Sequence, residues 1–334
     1  MKKAISILLA AAMGAAALTG CSKSSGSSSS GNTPLVLNEV AHSIFYAPQY
    51  AAIELGYFKD EGIDLTLVNG AGADKVMTAL VSGDAQIGFM GSEASIYVYQ
   101  EGSQDYAVNF AQLTQRAGNF LVGRQPEDNF QWESLKGKNV LGGRTGGMPQ
   151  MVFEYVLKKH GLDPRTDLTI DQSISFGLTA AAFSSNDSDY TVEFEPFATS
   201  LESEGAGYVV ASLGTESGYV PYTAYCVKKS YLEQNPELIQ KFTNAIQKGL
   251  DYVNAHSAEE IAKTIAPQFK ETPVDKITTI VQRYKEQETW KSNTIFTKES
   301  FELLENILEE AGELKERVPY ESLVTTQFSE TAAN

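Results

Sequence analysis

Apolar residues recur along this chain in two rhythms, and the rhythm changes at Gly and Pro. Short apolar or alternating runs at 35–40, 64–68 and 87–90 read as strands. Between them, apolar positions return every three or four residues at 48–55 and 74–82, so these segments read as helices, stopped by Gly56 and Gly83. Ser92 is placed to cap a helix that ends near Gln100. The alternation restarts with strands at 139–142, 168–171 and 190–194 and helices at 148–160, 176–183 and 196–203. Beyond Ser230 the pattern turns helical, over 236–255, 258–266, 273–286 and 298–311.

Alternating strands and helices predict an α/β fold in which a mostly parallel sheet is flanked by helices. The chain is too long for one comfortable core, so two lobes are expected. The first comprises 34–123 plus 222–330 and the second 124–221, with two crossovers, near 121–123 and 222–225, forming a hinge over a cleft.

The N-terminus has a different character. Lys2 and Lys3 precede a short apolar run, and Leu18-Thr19-Gly20-Cys21 closes it. This is the pattern of a secretory leader over residues 1–20, too short to span a bilayer. The closing tetrad resembles the bacterial lipobox, which implies a lipid on Cys21. Residues 21–33 are dominated by Ser and Gly and read as a flexible tether that holds a soluble body near a membrane.

Charge narrows the function. With 26 basic against 42 acidic residues, the net charge of −16 excludes a nucleic-acid binder. The two cysteines build no disulfide framework, because Cys21 carries lipid and Cys226 lies in an apolar strand pattern. No metal-ligand spacing, nucleophile elbow or complete phosphate loop occurs, so neither a cofactor, a metal nor a catalytic group is expected.

Candidate binding residues fall where predicted strands run into helices, since ligands of open α/β sheets bind beyond strand ends. Glu39, His42, Phe45 and Tyr46 share one such loop and offer aromatic faces beside polar groups. Gly72 lies in a small-residue turn that lets a ligand approach backbone. Ser92 and Glu93 open a helix, and Arg144, Thr145 and Gly146 lie in a Gly-rich turn before another. Gln115 and Tyr222 flank the crossovers, Phe176 begins a helix, and Glu195 follows a strand.

Several segments resemble one family. They are His42-Ser43-Ile44-Phe45-Tyr46-Ala47-Pro48, Gly56-Tyr57-Phe58-Lys59-Asp60-Glu61-Gly62 with Ile63-Asp64-Leu65, Gly83-Asp84-Ala85-Gln86-Ile87-Gly88, and Phe194-Glu195-Pro196. Together they resemble the substrate-binding lipoproteins of ABC importers, in the Thi5/NMT1-like and sulfonate/nitrate/taurine-binding group. The resemblance implies a two-lobed type II periplasmic-binding-protein fold. It also implies a monomer outside the cytoplasm, lipid-anchored to the bacterial membrane, that delivers a small ligand to a permease and its ATPase. Glu39, Glu93 and Glu195 at expected cleft ends favour a planar nitrogen heterocycle of the thiamine-pyrimidine kind over an anion. Riboflavin or a sulfonate, a tethered sensor feeding no permease, and a pyrimidine-synthesis enzyme on the same fold are the rival readings.

Overall fold

The structure is a computed structural model and describes residues 31–174 and 177–334. The leader, Cys21, most of the tether and Phe176 lie outside the described residues.

Among the described residues, ten strands form two five-stranded sheets. The first contains β1 (Thr33–Glu39), β2 (Ile63–Asn69), β3 (Ile87–Gly91), β4 (Ala107–Thr114) and, from far downstream, β10 (Thr223–Lys228). The second contains β5 (Asn119–Gly123), β6 (Asn139–Leu141), β7 (Thr169–Asp171), β8 (Tyr190–Phe194) and β9 (Tyr208–Ser212). The orders are β2-β1-β3-β10-β4 and β7-β6-β8-β5-β9, so the two lobes share one plan.

Each sheet is mixed, with one strand against the rest. β1 runs parallel to β2 and β3, and β6 parallel to β7 and β8. β10 pairs antiparallel with β3 and β4, and β5 antiparallel with β8 and β9. The reversed strand is the one that has just arrived from the other lobe. Parallel neighbours need a helical connection to return the chain, whereas a strand entering directly can pair antiparallel.

The first crossover therefore falls earlier than the sequence pattern suggested. β4 ends at Thr114 and β5, already in the second sheet, begins at Asn119. The apolar run at 121–123 is the buried second half of that strand, which lies between β8 and β9. Gly118 lies in the crossover, and a Cβ there would come within 2.5 Å of the Phe45 ring, so the connection passes against the aromatic core of the first lobe. The return runs through the helix Leu213–Ser217 to β10.

Helices cover both sheets. In Pro236–Ala255 the residues Ile239, Phe242, Ile246, Leu250 and Val253 recur at helical spacing and are all buried. This helix packs against Ala47–Glu54. Each such side chain removed from water contributes ~1.5–3 kcal/mol. The C-terminal helices do not serve one lobe alone: Lys298–Ala311 packs on Met148–Lys159 of the second. Among the described residues no helix is long and apolar enough to cross a membrane.

Candidate functional site

A narrow cavity of about 70 Å³ opens where strand ends of the two sheets face each other. The first lobe contributes Val40, Ala41, Ser43, Tyr46, Gly72, Ala73, Gly91 and Glu93. The second contributes Arg144, Gly147, Met148, Pro149 and Phe194, and the returning chain adds Tyr222 and Thr223. The walls are thus largely apolar, with few polar groups.

Glu93 is the distinctive one. It opens the helix Glu93–Gln100 directly after β3 and is 3% exposed. Its carboxyl lies over Gly91, where a Cβ would come within 2.1 Å of Oε2, so only glycine leaves room for this placement. Burial pushes the Glu93 carboxyl up to about 7, although its own backbone N–H, that of Met148 across the cleft, and the Arg144 charge all favour ionisation. Oε2 has no hydrogen-bond partner among the described residues. Neither has the hydroxyl of Tyr222, a buried side chain lining the same cavity. Burial, then the charges of Tyr46 and Glu93, hold that phenol well above its usual range.

Arg144 stands near the mouth. Its Nη1 lies 3.4 Å from Oδ1 of Asp74, an ion pair between the lobes with both side chains about half exposed. Tyr97 adds a second bridge by donating to the Gly146 carbonyl at 3.2 Å. Tyr46 meets Phe89 edge-on at 4.5 Å, which fixes its ring at the cavity wall.

Of the residues expected from sequence, Tyr46, Gly72, Glu93, Arg144 and Tyr222 line the cavity. Apart from Phe176, the others expected there make their contacts elsewhere. Glu39 is fully buried and accepts from His42 Nδ1 at 2.7 Å, Gln49 Nε2 at 2.7 Å and Tyr50 at 2.8 Å. His42 reaches the Gln268 carbonyl at 2.9 Å through Nε2 and stacks on Phe269. The bond to Glu39, outweighing partial burial, raises its pKa. This pair stitches the loop into the first lobe. Phe45 sits behind the wall in a ring cluster with Tyr46, Phe194, Tyr222 and Tyr284.

Ser92 donates to the Pro221 carbonyl at 2.8 Å, tying the helix start to the returning chain. Gln115 donates to the carbonyls of Glu288 and Trp290 beside the first crossover. Thr145 donates to Gln172, and the Gly146 N–H donates to Gln150 Oε1 at 2.9 Å.

Glu195 departs furthest from expectation. It is fully buried, yet its oxygens accept from the Thr199 N–H, the Thr199 hydroxyl and Arg283 Nη1, each at 2.9 Å. Its carbonyl accepts from Ser43 of the other lobe at 2.7 Å. Burial raises its pKa, and Thr199 and Arg283 oppose that. The carboxylate is committed to structure, and Glu195 does not line the cavity.

Sequence reasoning overlooked Val40, Ala41, Ser43, Pro149, Phe194 and Thr223 as lining residues. Most are apolar or small, and nothing in an apolar side chain distinguishes a cavity wall from a core. Their one signal was position, at the ends of β1 and β8, the start of β10 and, for Pro149, the first turn of the helix Met148–Lys159.

The Cys226 thiol is buried and pushed up to about 12 by burial. Among the described residues no cluster of His, Cys, Asp and Glu could hold a metal. The arrangement suits capture of a small molecule between two walls.

The family model described as NMT1/THI5 like matches residues 44–260. The chain belongs to the NMT1/THI5-like family. Among its relatives, "Putative binding protein YtlA" of Bacillus subtilis (strain 168) is 46% identical over 298 residues, 89% of each chain. The family also includes "4-amino-5-hydroxymethyl-2-methylpyrimidine phosphate synthase THI5" of Saccharomyces cerevisiae, 25% identical over 63% of this chain and 64% of its own.

Solved structures agree on the fold of this NMT1/THI5-like chain. The alkanesulfonate-binding protein SsuA from Xanthomonas axonopodis pv. citri, bound to MOPS, superposes with a TM-score of 0.71 at 16% identity, covering 89% of this chain and 99% of its own. The periplasmic nitrate-binding protein NrtA from Synechocystis PCC 6803 gives 0.72 at 16% identity, covering 90% and 88%. The two-lobed α/β periplasmic-binding-protein fold expected from sequence is the fold of the molecule.

Proposed function

We propose that the protein is an extracytoplasmic solute-binding lipoprotein of an ABC importer. It captures a small planar nitrogen heterocycle, of the thiamine-pyrimidine kind, in the interlobe cavity and delivers it to a permease and its ATPase. The lobes close on the ligand about the two crossovers, and the closed form docks. A lipid on Cys21 and the tether behind it keep the protein at the membrane, a role supported by the leader pattern and the Leu18-Thr19-Gly20-Cys21 box.

One observation carries the ligand class. The cavity is mostly apolar, its buried charged group is the Glu93 carboxyl, and its cation, Arg144, is already paired with Asp74. A sulfonate or nitrate would face a carboxyl with no free cation to offset it, whereas an N–H donor on a flat ring would be held. The named function of the 46%-identical relative supports binding over synthesis.

A melting-shift panel on the purified protein tests the reading, using an aminopyrimidine, riboflavin, taurine and nitrate. The expected result is a shift with the aminopyrimidine and none with the anions. A shift with taurine or nitrate alone would overturn the ligand class and leave the importer role standing. For the anchor, Cys21→Ser is expected to release the protein from the membrane fraction. A variant that stays bound through its N-terminus would refute lipidation.

A further inference from the structure

Two buried polar atoms on the cavity wall lack a hydrogen-bond partner among the described residues: Glu93 Oε2 and the Tyr222 hydroxyl. Both side chains are almost wholly enclosed, at 3% exposure each. A buried polar group without a partner is costly, and native proteins retain such groups rarely. Two at one cavity, Glu93 at a helix start and Tyr222 on the returning chain, mark where a ligand completes the hydrogen bonding.

Their chemistry specifies what completes it. A carboxylate accepts only, whereas a phenol donates and accepts. The backbone N–H groups of Glu93 and Met148 reach the carboxyl, Oε2 still has no partner, and no neighbouring side chain supplies the missing donor. Arg144 is paired with Asp74, Tyr97 donates to the Gly146 carbonyl, and Tyr46 adds a phenol held neutral by burial.

We propose that Glu93 and Tyr222 form the selectivity element of the cavity, reading a heterocycle that offers an N–H donor to the carboxyl and a ring-nitrogen acceptor to the hydroxyl. An aminopyrimidine meets both demands. Its oxo counterpart places a carbonyl where the amino group should be and sets acceptor against acceptor. A site built on buried polar groups rejects the analogue that leaves them unmatched far more strongly than an apolar wall rejects a misfit. This inference rests on the reading of the cavity as the ligand site, and it adds which two residues choose.

Calorimetry on the purified full chain tests it with three probes: 4-amino-5-hydroxymethyl-2-methylpyrimidine, its 4-oxo analogue, and the same ring without the amino group. Wild type is expected to prefer the amino compound by about 10–100-fold, the cost of an unmatched buried hydrogen-bonding group. Glu93→Gln and Tyr222→Phe, each checked for folding by its melting curve, are expected to lose about 10-fold or more for that compound and to narrow the preference. The analogue series on wild type needs no variant, so a variant that misfolds leaves the test intact. Equal affinity of wild type for the amino and oxo rings, or folded variants with wild-type affinity, would overturn the selectivity role alone. Binding of none of the three rings would overturn it together with the heterocycle reading.

Discussion

Two carboxylates stand near the start of helices on opposite sides of the same cleft, and their surroundings divide them. Glu93, in the first lobe, has one oxygen with no hydrogen-bond partner and faces the cavity. Glu195, in the second, spends its oxygens on Thr199 and Arg283. Both are buried, and in both burial raises the pKa. Position at a strand end therefore does not make a binding group. What separates them is whether the fold has already completed their hydrogen bonds. A satisfied carboxylate holds the structure together, and an unsatisfied one waits for a ligand.

The largest effect that bears on this contrast is expected at Glu195. Glu195→Ala leaves the Thr199 N–H and hydroxyl without their acceptor and Arg283 with Glu202 alone. Loss of one partner from a buried pair costs ~3–5 kcal/mol, and the partial exposure of Arg283 with its remaining Glu202 partner places this one at the lower end, at about 3 kcal/mol. Urea denaturation measures it, and a loss below ~1 kcal/mol would contradict a structural role.

Glu93 is expected to behave in the opposite sense. Its folded pKa of about 7 lies above the ordinary 4.5, so the native state binds the proton more tightly than the unfolded chain. Stability contributed by the neutral acid is present below the unfolded value and is lost as pH rises through the window up to about 7. Glu93→Gln removes that dependence. Relative to wild type, the variant is expected to gain about 2–3 kcal/mol between pH 5 and pH 8. Glu193, also raised to about 7 by burial, contributes its own slope to both proteins and cancels in the difference. Parallel urea titrations at the two pH values check it, and a constant difference would mean that Glu93 is ionised throughout.

Gly91→Ala sharpens the comparison from the side of the backbone. The new Cβ would lie 2.1 Å from Glu93 Oε2 and must displace the carboxyl. The expected cost is ~1–3 kcal/mol, as for other overpacked sites, accompanied by loss of aminopyrimidine binding. Unchanged binding would show that the placement of Oε2 is immaterial. The smallest effect is expected at the cleft mouth. Arg144→Ala breaks a half-exposed pair and should cost less than ~1 kcal/mol by thermal melting, with a larger loss indicating a hidden second role.

The architecture was legible in the sequence because its cues are local and repeated. Gly56 and Gly83 punctuate helices, and strands follow them on schedule. The boundary at β5 was not legible. Residues 119–123 have the same apolar character in either sheet, and only long-range pairing with β8 and β9 assigns them. The site was legible in part. Glu93 and Tyr46 announced themselves by lying at strand ends. Glu39 and Glu195 carried the same signal, yet Arg283, the charged partner of Glu195, arrives from the fold rather than from the flanking sequence. Arg283 is 88 residues away from Glu195, and nothing near Phe194-Glu195-Pro196 foretells it.

Calorimetric titration of an aminopyrimidine into wild type, Glu93→Gln and Glu195→Gln at pH 7 separates the two roles. Glu93→Gln is expected to lose about 10–100-fold in affinity while its fold is kept. Glu195→Gln, with its shape preserved and its carboxylate outside the cavity, is predicted to melt earlier and to bind within about 3-fold of wild type, a difference of less than ~1 kcal/mol. The reverse order, with affinity lost at Glu195 and retained at Glu93, would contradict the account.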